Sequence, residues 1–217
     1  LHTHGKLTAI KRYNRKRLID SGRVERVLEE KKVMTRVSGG CPYTMEMLST
    51  KQSEESLYFI FELVPGGSLY QHMRVSEYNC FPLKTALAYI AELVLALEYL
   101  FRRGCVHRDL KVTNCSLDAL GHVKLCDFGC SKVMFEESEH DSVLAAGVSR
   151  APRTKTLVGT SHCMAPEFFR PDQGYTALVD WWALGAMLFE MVSGQPAFPL
   201  LYGASLQKAQ ELFCRGQ

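Results

Sequence analysis

One stretch constrains this chain more than any other. His107-Arg108-Asp109-Leu110-Lys111-Val112-Thr113-Asn114 crowds acid, cation and amide together, and Asp127-Phe128-Gly129 begins thirteen residues after Asn114. Ala165-Pro166-Glu167 follows downstream, and Ala9-Ile10-Lys11 stands upstream. A lone Asp-Phe-Gly would carry little. With ordinary residue frequencies, chance alone gives the six specified residues of the first motif with probability on the order of 10⁻⁵ or less.

The segments between these motifs alternate strand and helix signals. Leu7 to Lys11 reads as a short strand ending in a lysine. Gly22 to Val37 is charged, with Val24, Val27, Leu28, Met34 and Val37 at helical spacing. Leu57 to Val64 is a dense apolar and aromatic run, hence a buried strand. Pro65-Gly66-Gly67 breaks it and marks a hinge between two lobes. Leu83 to Phe101 is the clearest helix, with Leu83, Ala86, Leu87, Ile90, Leu93, Val94, Leu97 and Leu100 forming its stripe and Gly104 its stop. Cys115–Leu117 and Val123–Cys126 are strand-like. Phe135 to Lys155 has no period and reads as a mobile loop. Ala177 to Val192 is apolar but carries Asp180 and Glu190, so it is a core helix and not a membrane span.

With 217 residues the chain makes one large domain or two small ones. A 47% hydrophobic and 23% charged composition excludes wholesale disorder and coiled coil. A net charge of +3 is too weak to indicate nucleic acid. The basic run Lys11, Arg12, Arg15, Lys16 and Arg17 is accompanied by no aromatic platform and reads as a solvated turn. The eight cysteines include no C-x-x-C pair and read as free, mostly buried thiols of a reducing compartment, cytoplasmic or nuclear. His162-Cys163 and His2-x-His4 hint at metal, but no second half of a ligand set follows at zinc spacing. No basic n-region followed by an apolar h-region stands near Leu1, so the sequence shows no sign of a secretory signal. The chain starts and stops without terminal signals, which reads as a fragment.

In order and spacing the four motifs match the signature set of protein kinases. Phosphoryl transfer depends on positioning and charge stabilisation, and these residue types supply both. Asn114 and Asp127 offer hard oxygen ligands for magnesium. Asp109 is placed to orient and deprotonate an attacking hydroxyl. Lys111 puts a cation on the transferring group. Lys11 would hold the α- and β-phosphates of ATP, positioned by a carboxylate. Glu29 and Glu30 both sit mid-helix, and the helical stripe does not choose between them; the family spacing favours Glu30.

The chain resembles the AGC group of eukaryotic protein kinases, near the cyclic-nucleotide-dependent and phosphoinositide-dependent kinases. The resemblance implies an α+β, bilobal fold: a small, mostly-β N-lobe with helix C over residues 1–64, and a larger helical C-lobe over 65–217. It implies a serine/threonine kinase using ATP and Mg²⁺, acting on protein substrates and answering to an upstream activating kinase. Leu57 to Gly67 resembles the family's hinge, with Phe61 as gatekeeper and Glu62 to Val64 as adenine-contacting backbone. Met34, Met47, His107 and Phe128 match its hydrophobic spine. Arg153 to Thr160 resembles its activation segment, with Thr156 as the phosphorylated residue and Arg108, Lys132 and Arg26 as cations converging on it. Thr160 is expected beside Asp109 and Lys111, and Thr154 facing solvent. Glu190, Ser68 and Thr113 stand where basophilic relatives hold acids for substrate arginines, so one acid of three survives. The sequence also departs from the family. No glycine-rich loop precedes Lys11, and the helices and tail that close the C-lobe, with the arginine partner of Glu167, are absent. Val112-Thr113 replaces Pro-Glu, and the activation loop is long. These departures imply a truncated domain, inactive or poorly active alone.

Overall fold

The computed structural model describes residues 2, 3, 6–147, 151–170 and 172–215. Strands β1 (His2–Thr3), β2 (Lys6–Asn14), β3 (Met47–Gln52) and β4 (Ser56–Glu62) form an antiparallel sheet in the order β1-β2-β4-β3. β4 is the apolar run, and its Phe59, Ile60 and Phe61 are closed to solvent. Between β2 and β3 lie α1 (Arg15–Asp20) and α2 (Val24–Val37). Of the basic run, Lys11 and Arg12 lie on β2, and Arg15, Lys16 and Arg17 lie on a short helix rather than the expected turn, because the Asn14 side chain accepts the Arg17 amide at 3.0 Å and caps it.

Helix α2 buries Val27, Glu30, Val33, Met34 and Val37. Val24 and Leu28, assigned to the same stripe from their spacing, are exposed. The inward face is centred near Glu30, and a carboxylate at the centre of a buried face gives no hydropathy signal.

Beyond the hinge, Ser68 and Gln71 form a reciprocal capping box that starts α3 (Leu69–Val75). The core of the larger lobe is α4 (Leu83–Arg102) against α6 (Val179–Ser193). α4 buries Ala86, Leu93, Ala96, Leu97 and Leu100, while Leu83 and Leu87 are exposed. Gly104 ends it in the left-handed region at φ 67°, where a Cβ would meet the Phe135 carbonyl oxygen at 2.0 Å. Two short ladders follow: β5 (Cys105–Val106) with β8 (Lys132–Val133), and β6 (Cys115–Leu117) with β7 (Val123–Leu125). The second places the catalytic-loop motif just before one strand and Asp-Phe-Gly just after the other.

Phe135 to Lys155 is not the featureless loop its sequence suggests. It carries α5 (His140–Ala146), and Phe135, Val143 and Ala151 make a small core against Phe101 and Met134. α5 buries Val143 alone, too little to leave a helical period. Residues 148–150 lie outside the described ones. The chain closes on α7 (Leu206–Arg215). Among the described residues no helix is long and apolar enough to cross a membrane. The seven described cysteines are free thiols, four of them buried. His4 and the Cys214 side chain lie outside the described set.

Candidate active site

Lys11 of β2 donates to Glu30 Oε1 at 2.8 Å and to Asp127 Oδ1 at 3.0 Å. Glu30 is buried, and Tyr13 Oη donates to its other oxygen at 2.5 Å. Glu29 is committed elsewhere: it accepts the Val133 amide at 2.8 Å. The choice the helical stripe left open is thus made by tertiary contacts. Burial alone would pull the Lys11 pKa down, but the charge and hydrogen bond of Glu30 outweigh it and the net shift is upward. Burial opposes ionisation of Asp127, yet Lys11 and the Gly129 amide hold its carboxyl below the usual range. A cavity of about 230 Å³ opens here, lined by Lys11, Glu30, Asp109, Asp127 and Gly129 among others. A Cβ at Gly129 would stand 3.2 Å from Asp127 Oδ1, so a side chain there would push that carboxylate aside by a few tenths of an ångström.

The catalytic loop is hung from one buried carboxylate. Asp180 of α6 accepts the His107 amide and the Arg108 amide, each at 2.7 Å. Burial raises its pKa against the pull of His107 and those two amides. Nothing in the sequence reading gave Asp180 this task. The signal was an acid inside an otherwise apolar run, which costs free energy unless it is hydrogen-bonded. Arg108 is strained into the left-handed region at φ 68°, as is Asp127 at φ 55°. His107 takes the Asp109 amide on Nδ1 at 3.3 Å, faces the Cys126 carbonyl at 3.1 Å, and meets Phe128 edge-on at 5.0 Å. Met34 and Phe128 lie in one buried cluster, with Met47 packed against it. Asn at position 180 offers one acceptor where two amides need one each. Asp180→Asn is therefore expected to cost about 2 kcal/mol, the order of one unsatisfied buried donor. For a chain this size that lowers the thermal midpoint by about 4–8 °C. An unchanged midpoint in calorimetry would show that the loop does not depend on Asp180.

Around Asp109 three groups converge. Asn114 Nδ2 donates to its backbone oxygen at 2.8 Å and to Oδ2 at 3.0 Å. Lys111 Nζ lies 3.0 Å from Oδ2. Thr160 accepts from Lys111 at 2.6 Å and donates to Asp109 Oδ1 at 2.6 Å. Gly159 makes this approach possible, since a Cβ there would stand 2.5 Å from the Arg108 carbonyl oxygen. With its nitrogen turned to Asp109, Asn114 keeps its carbonyl oxygen for a cation. That oxygen and the half-exposed Asp127 carboxylate form a hard donor pair that fits magnesium.

At the hinge, Phe61 is buried. Glu62 donates its amide to the Glu46 carbonyl at 3.0 Å, and its carboxylate takes Lys124 at 2.7 Å and the Glu46 amide at 2.8 Å. Val64 follows β4, half-buried. Burial pushes the Cys126 thiol up to about 11.

The activation segment departs from expectation. Thr154 is buried, not solvent-facing: it pairs as an antiparallel bridge with Tyr175, and Lys132 Nζ donates to its hydroxyl at 3.0 Å. Thr156 is exposed. The three cations are not left to repel one another. Arg108 donates to the Cys130 carbonyl at 2.6 Å, and Arg26 to the Gly129 carbonyl at 2.6 Å. Tyr175 links Arg108 to Thr156: its hydroxyl accepts from Arg108 at 3.2 Å and donates to the Thr156 carbonyl. Of the three positions matched to substrate-binding acids, Ser68 caps α3, Thr113 is exposed and Glu190 is buried on α6.

The protein kinase domain family matches residues 1–213, and the chain belongs to that family. Among its relatives, Serine/threonine-protein kinase gad8 of Schizosaccharomyces pombe is 35% identical over 193 residues, 89% of this chain and 31% of the relative. Serine/threonine-protein kinase YPK2/YKR2 of Saccharomyces cerevisiae is 34% identical over 208 residues, 94% of this chain and 28% of the relative. The cAMP-dependent protein kinase catalytic subunit of Dictyostelium discoideum is 36% identical over 190 residues, 88% of this chain and 26% of the relative. The chain therefore spans less than a third of the length of these curated relatives. The AGC group resembled by the sequence is the group these relatives represent.

Proposed function

We propose that this domain transfers the γ-phosphoryl group of ATP to serine and threonine hydroxyls of proteins. The observation that carries this is the cluster of Asp109, Lys111, Asn114 and Thr160 facing the Lys11–Glu30–Asp127 network. Magnesium–ATP, when bound, supplies the phosphoryl group, with Asn114 and Asp127 as its metal ligands. Lys11, held by Glu30, binds the α- and β-phosphates. Phe61 closes the back of the adenine site, and the backbone from Glu62 to Val64 lines it. Asp109 takes the proton of the acceptor hydroxyl as its oxygen bonds to phosphorus and the bond to the leaving ADP breaks. Lys111 holds the charge on the moving group. The relatives named serine/threonine kinases support this acceptor class. The test is turnover of the full-length protein on a positional peptide library. Serine and threonine acceptors are expected, with a weak preference for upstream arginine, because Glu190 alone of the three positions is acidic. Each lost charge-assisted contact is worth roughly 1.5–3 kcal/mol. Strict selection of two arginines would overturn the substrate reading, and no phosphotransfer at all would overturn the activity.

Activation by an upstream kinase at Thr156 belongs to the same proposal. A phosphate there carries nearly two charges and three acceptor oxygens. It would outcompete the neutral carbonyl partners of Arg108 and Arg26 and the Thr154 hydroxyl on Lys132. Thr156→Ala is expected to lower kcat/KM at least about tenfold, the loss of one charged hydrogen bond. Lys132→Ala should also lower it, and the double variant should be little worse than Thr156→Ala. Fully additive losses would mean that Lys132 acts through Thr154 alone.

A further inference from the structure

The pair His162-Cys163, which has no partner at zinc spacing in the sequence, finds one across the fold. One ligand atom each from His162, Cys163 and Glu190 lies within 4.8 Å of the others, the one such group of three among the described residues. The sequence hides the set because Glu190 comes from the far end of α6.

One member of the group lacks a partner. His162 Nδ1 is shut off from solvent without a hydrogen bond. Glu190 is 6% exposed, and among the described residues His162 Nδ1 is the one buried side-chain polar atom without a partner. Leaving buried polar groups unsatisfied is costly, and native structures do it where something else pairs with them. Cys163, 4% exposed, completes the set. Its backbone is pinned. Ser161 Oγ donates to the Leu201 and Ala204 carbonyls at 2.7 and 2.9 Å, and the Cys163 amide donates to Thr160 at 3.0 Å. The His162 ring packs on Tyr202 with centroids 4.8 Å apart.

We propose that His162, Cys163 and Glu190 form a three-ligand site for a zinc-type divalent cation. One nitrogen, one sulfur and one carboxylate oxygen suit zinc, whereas magnesium and calcium want oxygen throughout. Zinc–ligand bonds of about 2.0–2.3 Å at tetrahedral angles put ligand atoms roughly 3.5 Å apart. The three ligand atoms stand within 4.8 Å of one another, and metal binding would draw them closer. Water or an outside ligand takes the fourth position. Burial, helped by Lys111, lowers the His162 pKa, so the imidazole is neutral as a ligand must be. Burial pushes the Cys163 thiol up to about 12, with the charges of Glu190 and Asp109 adding to it. The metal therefore binds with release of the thiol proton to solvent. This inference does not rest on the kinase reading, since metal binding is measured without turnover; Glu190 serves a substrate arginine only in the metal-free protein.

The experiment is titration of the metal-stripped full-length protein with cobalt(II), followed by zinc. One equivalent of cobalt is expected to give a thiolate-to-cobalt charge-transfer band, bleached by one equivalent of zinc. Cys163→Ser should abolish the band. His162→Gln and Glu190→Gln should each weaken binding by at least ~10-fold, since even outer-shell changes cost that much. Should Cys163→Ser fail to fold, the other two variants decide by the same titration. Absence of the band, its survival in folded Cys163→Ser, or unchanged affinity in both His162→Gln and Glu190→Gln would overturn the site.

Discussion

Asp109→Asn in the full-length protein is expected to lower kcat by at least ~10², the usual size of lost general-base catalysis. Asp109 Oδ2 takes a hydrogen bond from Asn114 and an ion pair from Lys111, and Oδ1 takes a hydrogen bond from Thr160 at 2.6 Å. Every neighbour is a donor, so the carboxylate serves as an acceptor throughout. Asparagine turns one of its two acceptor positions into a donor. That donor faces either the Lys111 ammonium and the Asn114 amide nitrogen, which accept nothing, or Thr160, whose hydroxyl must then give up its own bond to position 109. The proton acceptor is lost at the same time. ATP binding should change little, because Lys11, Glu30 and Asp127 make none of these contacts and Asn114 keeps its bond to the Asp109 backbone oxygen. Turnover at the wild-type rate, measured with saturating ATP and peptide, would remove Asp109 from the base position.

The residues that converge here were legible because they lie in short contiguous motifs. Asp109, Lys111 and Asn114 share one loop, and a single two-stranded ladder brings Asp127 beside them. Long apolar runs were legible as well: β4, α4 and α6 stand within a few residues of where their patterns put them. What stayed hidden depends on contacts between remote segments. Glu29 and Glu30 are adjacent on one helix, and only the Val133 amide and Lys11 tell them apart. Asp180 looks like a stray acid until two distant amides meet it. Thr154 looks like a loop threonine until Tyr175 pairs with it. α5 buries one side chain, and a single burial leaves no period.

Asp127→Asn is expected to abolish magnesium-dependent ATP binding and to lower turnover by at least about 10³, the upper range for removing one preorganised electrostatic contact. Asp127 stands at φ 55°, a conformation that asparagine tolerates as well as aspartate does. Its Oδ1 accepts from Lys11 at 3.0 Å and from the Gly129 amide at 3.3 Å, and an asparagine carbonyl can take the same place. The backbone has no reason to move, and Lys11 keeps Glu30. Only the negative charge is lost, and with it the hard anionic oxygen that a magnesium ion requires. Because Lys11 holds the Asp127 pKa below the usual range, that charge is present at neutral pH. It is lost only as the pH falls through the lowered value, and the contribution of the Lys11 pair to stability goes with it. Acid should therefore imitate the substitution in a wild-type control. Calorimetric titration of ATP with and without magnesium, beside the thermal midpoint of each protein, separates metal loss from misfolding. A folded Asp127→Asn protein that binds magnesium–ATP as the wild type does would place the metal on other ligands.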